Sequence, residues 1–130
     1  MATLKEQASQ FSRDELQRMA YDIADHYEVP KDLFFSVIGH ESGDWNPTAQ
    51  RKDPATGEAT GDTGLGQIIT STGEQLGLNV TGRDAGPDDE RWHPGKNMDA
   101  AARLLKENYD KTDSWGKALS MYNTGKPWDT

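Results

Sequence analysis

The chain is 130 residues long and 33% hydrophobic, with 22 acidic against 14 basic residues and a net charge of −8. That length suits a single domain over residues 1–130, and an acidic balance without a basic cluster argues against a nucleic-acid partner. No run approaches the ~20 apolar residues of a membrane span. Residues 1–7 carry no apolar signal segment, and zero cysteine rules out disulfides and thiol nucleophiles.

Residues 1–11 read as a loose lead. Ser12-Arg13-Asp14-Glu15 is a capping-box pattern. Leu16, Met19, Ala20, Ile23 and Tyr27 then recur at helical spacing and predict a helix over 13–27. His26 stands beside that stripe without companions at ligand spacing, so it is not read as a metal ligand. Val29-Pro30 breaks the pattern.

The next helix carries the candidate chemistry. Leu33, Phe34, Val37 and Ile38 share one face, and the next position on that face is Glu41. An apolar setting and the negative end of the helix dipole both raise a carboxyl pKa. A Glu so tuned can hold a proton near neutral pH and give it to a leaving group. The rival reading is a Glu at the rim of an apolar face, with its head in water. Gly43 is expected to stop the helix in the left-handed region.

Residues 43–63 form a long polar loop punctuated by Pro47, Pro54, Gly57 and Gly61. Long loops in compact domains are often functional. Trp45 reads first as a lid over the core and second as a sugar-stacking platform. A small β-hairpin fits within 46–68. Gly64-Leu65-Gly66-Gln67-Ile68 lacks the Lys-Ser/Thr ending and the register of phosphate loops. Its glycines instead allow close backbone approach. Thr70 or Ser71 is expected to cap a short helix over 72–77.

Residues 79–95 read as an irregular, solvated acidic loop with Asp84, Asp88, Asp89 and Glu90, whose spacing does not match a calcium loop. Asn97 is expected to cap a helix over 97–110 that buries Met98, Ala101, Ala102, Leu105 and Tyr109. The alanine run predicts close packing on another helix, with the Glu41 helix as the candidate. Ser114 is expected to cap a last helix bearing Trp115, Ala118, Leu119 and Tyr122, which stops at Asn123-Thr124-Gly125 before Pro127.

Three short signals thus stand in order: Glu41-Ser42, Gly64-Leu65-Gly66-Gln67-Ile68 and Met121-Tyr122-Asn123-Thr124-Gly125. Their order resembles the lytic transglycosylase (SLT) domain of the goose-lysozyme-like superfamily, with its Glu-Ser at a helix end, G-L-M-Q segment and A-Y-N-x-G segment. The likeness covers residues 29–125. Gly86-Pro87-Asp88-Asp89-Glu90-Arg91 and the alanine-rich helix after it are similar to the internal virion transglycosylases of T7-like phages.

The resemblance implies a mainly α, lysozyme-like fold arranged around the Glu41 helix. It implies a peptidoglycan lyase without metal or cofactor, acting on the β-1,4 bond between N-acetylmuramic acid and N-acetylglucosamine. Glu41 would protonate the glycosidic oxygen and then take the proton of the muramic acid C6 hydroxyl as it closes a 1,6-anhydro ring. Ser42 would hydrogen-bond and orient Glu41. Gln67 and the backbone around Gly66 and Ile68 would line the sugar cleft, and Tyr122 and Asn123 would reach toward Glu41 and the substrate. The implied setting is a phage virion or the host periplasm and cell wall, in genome delivery or lysis. Glycan strands would be the partner, other virion proteins candidate neighbours, and the isolated domain a monomer.

The chain departs from the family pattern at Gly66, where Met is usual, and at Met121, where Ala is usual. It also stops five residues after Gly125, so it is either a minimal domain or a piece of a longer protein. Two other functions stay open. A hydrolase would need a second carboxylate to activate water, for which Asp62 is the better candidate and Asp44 the other. A wall-binding or structural virion module would keep the fold without catalysis.

Overall fold

The computed structural model describes residues 1–124, so Gly125 of the third motif and Pro127 lie outside the described residues. The described chain is mainly helical, with one two-stranded antiparallel sheet. The helices are α1 (Leu4–Ala8), α2 (Arg13–His26), α3 (Lys31–Glu41), α4 (Thr70–Gln75), α5 (Pro94–Thr112) and α6 (Trp115–Thr124). The strands are β1 (Gln50–Lys52) and β2 (Ala59–Thr63), which form the hairpin expected between α3 and α4.

Residues 1–11 are not a loose lead. The Thr3 hydroxyl accepts from the Glu6 N–H and the Glu6 carboxylate from the Thr3 N–H, a capping box that starts α1. The same Ser/Thr-x-x-Glu pattern recognised at Ser12 and Glu15 stands here too, and both form. Ala8 is fully buried, and the Lys5 N–H donates to the Pro87 carbonyl at 3.0 Å, so the short helix is docked.

α3 lies in the core. Phe34, Val37 and Ile38 are buried in one apolar cluster with Leu16, Ala20 and Ala24 of α2 and Met98, Ala101, Ala102 and Leu105 of α5. Burying each large apolar side chain contributes roughly 1.5–3 kcal/mol. As a whole helix α5 packs chiefly on α6 and α2, and α3, the partner the alanine run suggested, is not among its main helix neighbours. Trp45 is 7% exposed and lies against Phe35 and Gly39, so it is a lid over the core.

Two helix starts and the setting of one acidic residue differ from expectation, each for a reason of hydrogen bonding. α4 begins at Thr70 without a side-chain cap, because the residue at the N-cap position is Ile69, whose side chain has no acceptor. α5 begins at Pro94, since the His93 ring accepts the Lys96 N–H at 3.1 Å and proline suits the first helical turn. Asn97 is therefore inside the helix, where its side chain does another task. Asp89 is not solvated. It is fully buried beside Arg91 at 3.0 Å, and these two carry the turn Glu90–Trp92.

Candidate active site

Glu41 is the last residue of α3. The helix ends in a Schellman motif: the Asp44 N–H donates to Gly39 at 2.8 Å, the Gly43 N–H to His40 at 3.4 Å, and Gly43 has φ +62°. Ser42 supports this turn. Its hydroxyl donates to the Ile38 carbonyl at 2.6 Å and accepts from the Trp45 N–H at 2.8 Å. Its one proton is thus committed to Ile38 and does not orient the Glu41 carboxylate, contrary to the sequence expectation. Ser42 fixes the chain at the point where Glu41 emerges.

Glu41 is half-buried and borders a groove of about 710 Å³ together with Asp62, Gln67, Ile68, Tyr122 and Asn123. An adjoining hollow of about 360 Å³ shares Glu41, Asp62 and Gln67 and extends past Ala49 and Gln50. Glu41 stands where the two hollows meet. Burial raises its pKa above the usual Glu range; the His40 charge opposes this, Asp62 adds to it, and Arg51 opposes it. The net effect is a carboxyl that holds its proton more tightly than a solvated one.

The glycine segment forms one wall. Gly66 is clamped on both sides: its N–H donates to Asn97 Oδ1 at 2.7 Å, and its carbonyl accepts from the Tyr122 hydroxyl. A Cβ at Gly66 would meet Tyr122 Oη at 2.8 Å and Ala101 Cβ at 2.9 Å, so no side chain fits there, the Met usual in the family included. Gln67 has φ +51°, and its amide donates to Ala49 and Gly64 at 3.1 and 2.8 Å. Both amide hydrogens are committed, which leaves the Gln67 carbonyl oxygen as its free acceptor. Ile68 is buried and borders the larger hollow.

Two fully buried side chains hold this wall from behind. Asn97 donates to the carbonyls of Thr63 and Arg91 at 2.9 and 2.8 Å while accepting from Gly66. Arg91 donates to the carbonyls of Gly61 at 2.6 Å and Ile68 at 3.3 Å, and pairs with Asp89. Burial opposes the Asp89 charge, but hydrogen bonds from Arg91 and the Thr81 N–H hold its carboxyl below the usual range. Neither role was legible in sequence, because each depends on contacts across 20–35 positions; a buried Arg beside an acid is the one local hint.

α6 supplies the facing wall. Tyr122 and Asn123 both border the groove. The Tyr122 hydroxyl, however, donates to Gly66 and not to Glu41. Burial raises its pKa, and the charges of Glu41 and Asp62 raise it further. Of the two candidate second carboxylates, Asp62 borders the groove and accepts from the Thr60 hydroxyl at 2.7 Å. Asp44 is exposed and paired with Arg13. Arg51, His40 and Lys111 also border the groove, and sequence reasoning missed them as site residues. His40 and Arg51 act on Glu41 through space, although adjacent side chains on a helix diverge. Among the described residues no three His, Asp or Glu side chains are grouped to hold a metal, and no helix is long and apolar enough to cross a membrane.

The groove thus presents one proton-holding carboxyl among amide, hydroxyl and backbone groups, a set that suits polar, uncharged sugars. Comparison with known proteins agrees with this chemistry. The sequence model of the family described as "Transglycosylase SLT domain" matches residues 3–127. The chain is also 38% identical over 104 residues to "Peptidoglycan transglycosylase gp16" of Escherichia phage T7, covering 79% of this chain and 7% of that protein's length.

Proposed function

Because this chain belongs to the SLT transglycosylase family, we propose that it cleaves peptidoglycan glycan strands without consuming water. Glu41, protonated, gives its proton to the oxygen between N-acetylmuramic acid and N-acetylglucosamine. The C–O bond to muramic acid C1 breaks as charge develops at C1. The muramic acid C6 hydroxyl then closes on C1 and returns its proton to Glu41, which leaves the enzyme ready for another turn. The observation that carries this reading is the placement of one sheltered carboxyl at the junction of two groove hollows. Gln67, Asn123 and the backbone of the clamped Gly66 segment would contact the sugars, with Ile68 as an apolar floor.

The phage relative supports a setting in a virion or at the host wall, where the enzyme opens the glycan mesh for genome delivery or lysis. Mass spectrometry of digested wall fragments tests the chemistry, with Glu41→Gln as the control. Anhydro ends that disappear in the variant are expected. A second reading keeps one observation in its favour: Asp62 borders the same groove and its charge bears on Glu41. In that case Asp62 would activate a water, and reducing ends would form instead. Wall binding without any cleavage would identify a non-catalytic module.

A further inference from the structure

We propose that Asn108, Leu104, Met121 and Ile69 form an acetamido subsite in the larger hollow, which binds the C2 N-acetyl group of a sugar to one side of the scissile bond. The inference rests on the transglycosylase reading and names the substituent by which that groove grips a strand. All four residues border the larger hollow and none borders the smaller one, so the subsite lies off the junction where Glu41 stands. Ile69 immediately precedes α4, Leu104 and Asn108 are one turn apart on α5, and Met121 belongs to α6. Of the four large apolar side chains exposed among the described residues, Ile69, at 42%, is the one that borders this groove. Leu104 and Met121 are partly buried in the lining of the same hollow.

Asn108 supplies the polar anchor. Its side chain is 4% exposed, and its amide N–H donates to the Ala118 carbonyl of α6 at 3.2 Å, which fixes the plane of the amide. Among the described residues no donor reaches Asn108 Oδ1, and no buried side-chain oxygen is left without a partner. That oxygen therefore lies at the surface of the hollow, an acceptor with no protein donor. An acetamido group joins a methyl, an N–H and a carbonyl, and every ring of the strand carries one at C2. Its methyl suits the three apolar side chains and its N–H suits Asn108 Oδ1. Lys111, one turn further along α5 on the same hollow, is placed to donate to its carbonyl. A ring hydroxyl in its place would satisfy Asn108 but bury no apolar surface.

N-acylated glucosamine oligomers isolate this group, because an N-formyl oligomer keeps the N–H and the carbonyl and lacks only the methyl. Kd is measured by calorimetry for the N-acetyl and N-formyl oligomers in a Glu41→Gln background, which removes turnover. Met121→Ala should weaken the N-acetyl oligomer about 4- to 15-fold, the range for lost burial of one or two methyl-sized groups, and the N-formyl oligomer less than about twofold. Ile69→Ala, at an exposed position, should give a smaller loss in the same sense and keeps the test intact should Met121→Ala misfold. Asn108→Ala should weaken both oligomers, which share the N–H. Thermal melts check that each variant folds. Equal weakening of both oligomers by the Met121 and Ile69 variants, weakening of neither by any variant, or no binding of the N-acetyl oligomer to the Glu41→Gln chain overturns the subsite. The transglycosylase reading fails separately, if the chain with Glu41 intact binds the N-acetyl oligomer but releases no anhydro ends from wall.

Discussion

The Tyr122 hydroxyl donates to the Gly66 carbonyl, 56 positions earlier, and so joins α6 to the glycine segment across the groove. The bond links two of the three sequence signals directly. Tyr122→Phe removes the donor and leaves the buried Gly66 carbonyl without it. The expected cost is about 1–2 kcal/mol of unfolding free energy, read from denaturant melts. Wall-clearing activity per folded molecule should fall as the glycine wall loosens. Unchanged stability with lost activity would show that the hydroxyl serves the substrate and not Gly66.

Glu41→Gln should abolish anhydro-product formation, since a positioned general acid contributes ~10²–10⁴-fold. It should also stabilise the fold at neutral pH. A raised folded pKa means that the native state binds the proton more tightly than the unfolded chain does. Stability from this group is therefore full below the unfolded value, about 4.3, and declines as pH rises through the folded value. The Gln variant escapes that decline. Because Glu41 is half-exposed, the gain at pH 7 should be only a few tenths of a kcal/mol, up to about 1, and should vanish near pH 4. Melts at both pH values decide it, and a variant less stable than its parent at pH 7 contradicts the burial argument.

The pH–rate profile reports the same carboxyl from the side of catalysis. The acid must be protonated in the free enzyme, so kcat/KM should fall as pH rises through the elevated Glu41 pKa. Arg51 lowers that pKa and Asp62 raises it. Arg51→Gln should move the alkaline limb to higher pH, and Asp62→Asn should move it to lower pH. Under the transglycosylase reading Asp62→Asn also keeps most of its activity near the pH optimum. A loss of 10³-fold or more with no shift of the limb would favour Asp62 as the base of a hydrolase.

Much of the helical scaffold could be read from periodicity, because α2, α3 and α6 carry their apolar residues at the spacing their burial requires. Glu41 was legible for the same reason: it continues the face of Phe34, Val37 and Ile38. The roles of individual polar side chains were not. Ser42 and Tyr122 each have one hydroxyl proton, and the partners that take it, Ile38 and Gly66, are settled by folded geometry. Asn97 looked like a helix cap because Asn often is one. His93 and Pro94 start the helix earlier, and that frees Asn97 to hold three backbone groups of the wall and turn. Asp89 looked solvated within an acidic run, since a one-dimensional charge pattern cannot tell a paired acid from a free one.

Arg91 ties both ends of the segment that carries Asp62 and Gln67, through the carbonyls of Gly61 and Ile68. Arg91→Met should cost about 3–5 kcal/mol at pH 7, because it strands the fully buried Asp89 charge as well as those carbonyls. Adding Asp89→Asn removes the stranded charge and should restore part of the loss, so the two substitutions should be strongly non-additive in a double-mutant cycle. Asn at position 89 has a single side-chain acceptor and keeps only one of the bonds from the Thr81 and Arg91 N–H groups, so the recovery is partial. The Gly61 and Ile68 carbonyls remain without their donor in the double variant, so its activity per folded molecule should stay below that of the unmodified chain even where its stability recovers. Additive losses would mean that Arg91 braces the wall independently of Asp89. Full recovery of activity along with stability would mean that the pair supports only the fold.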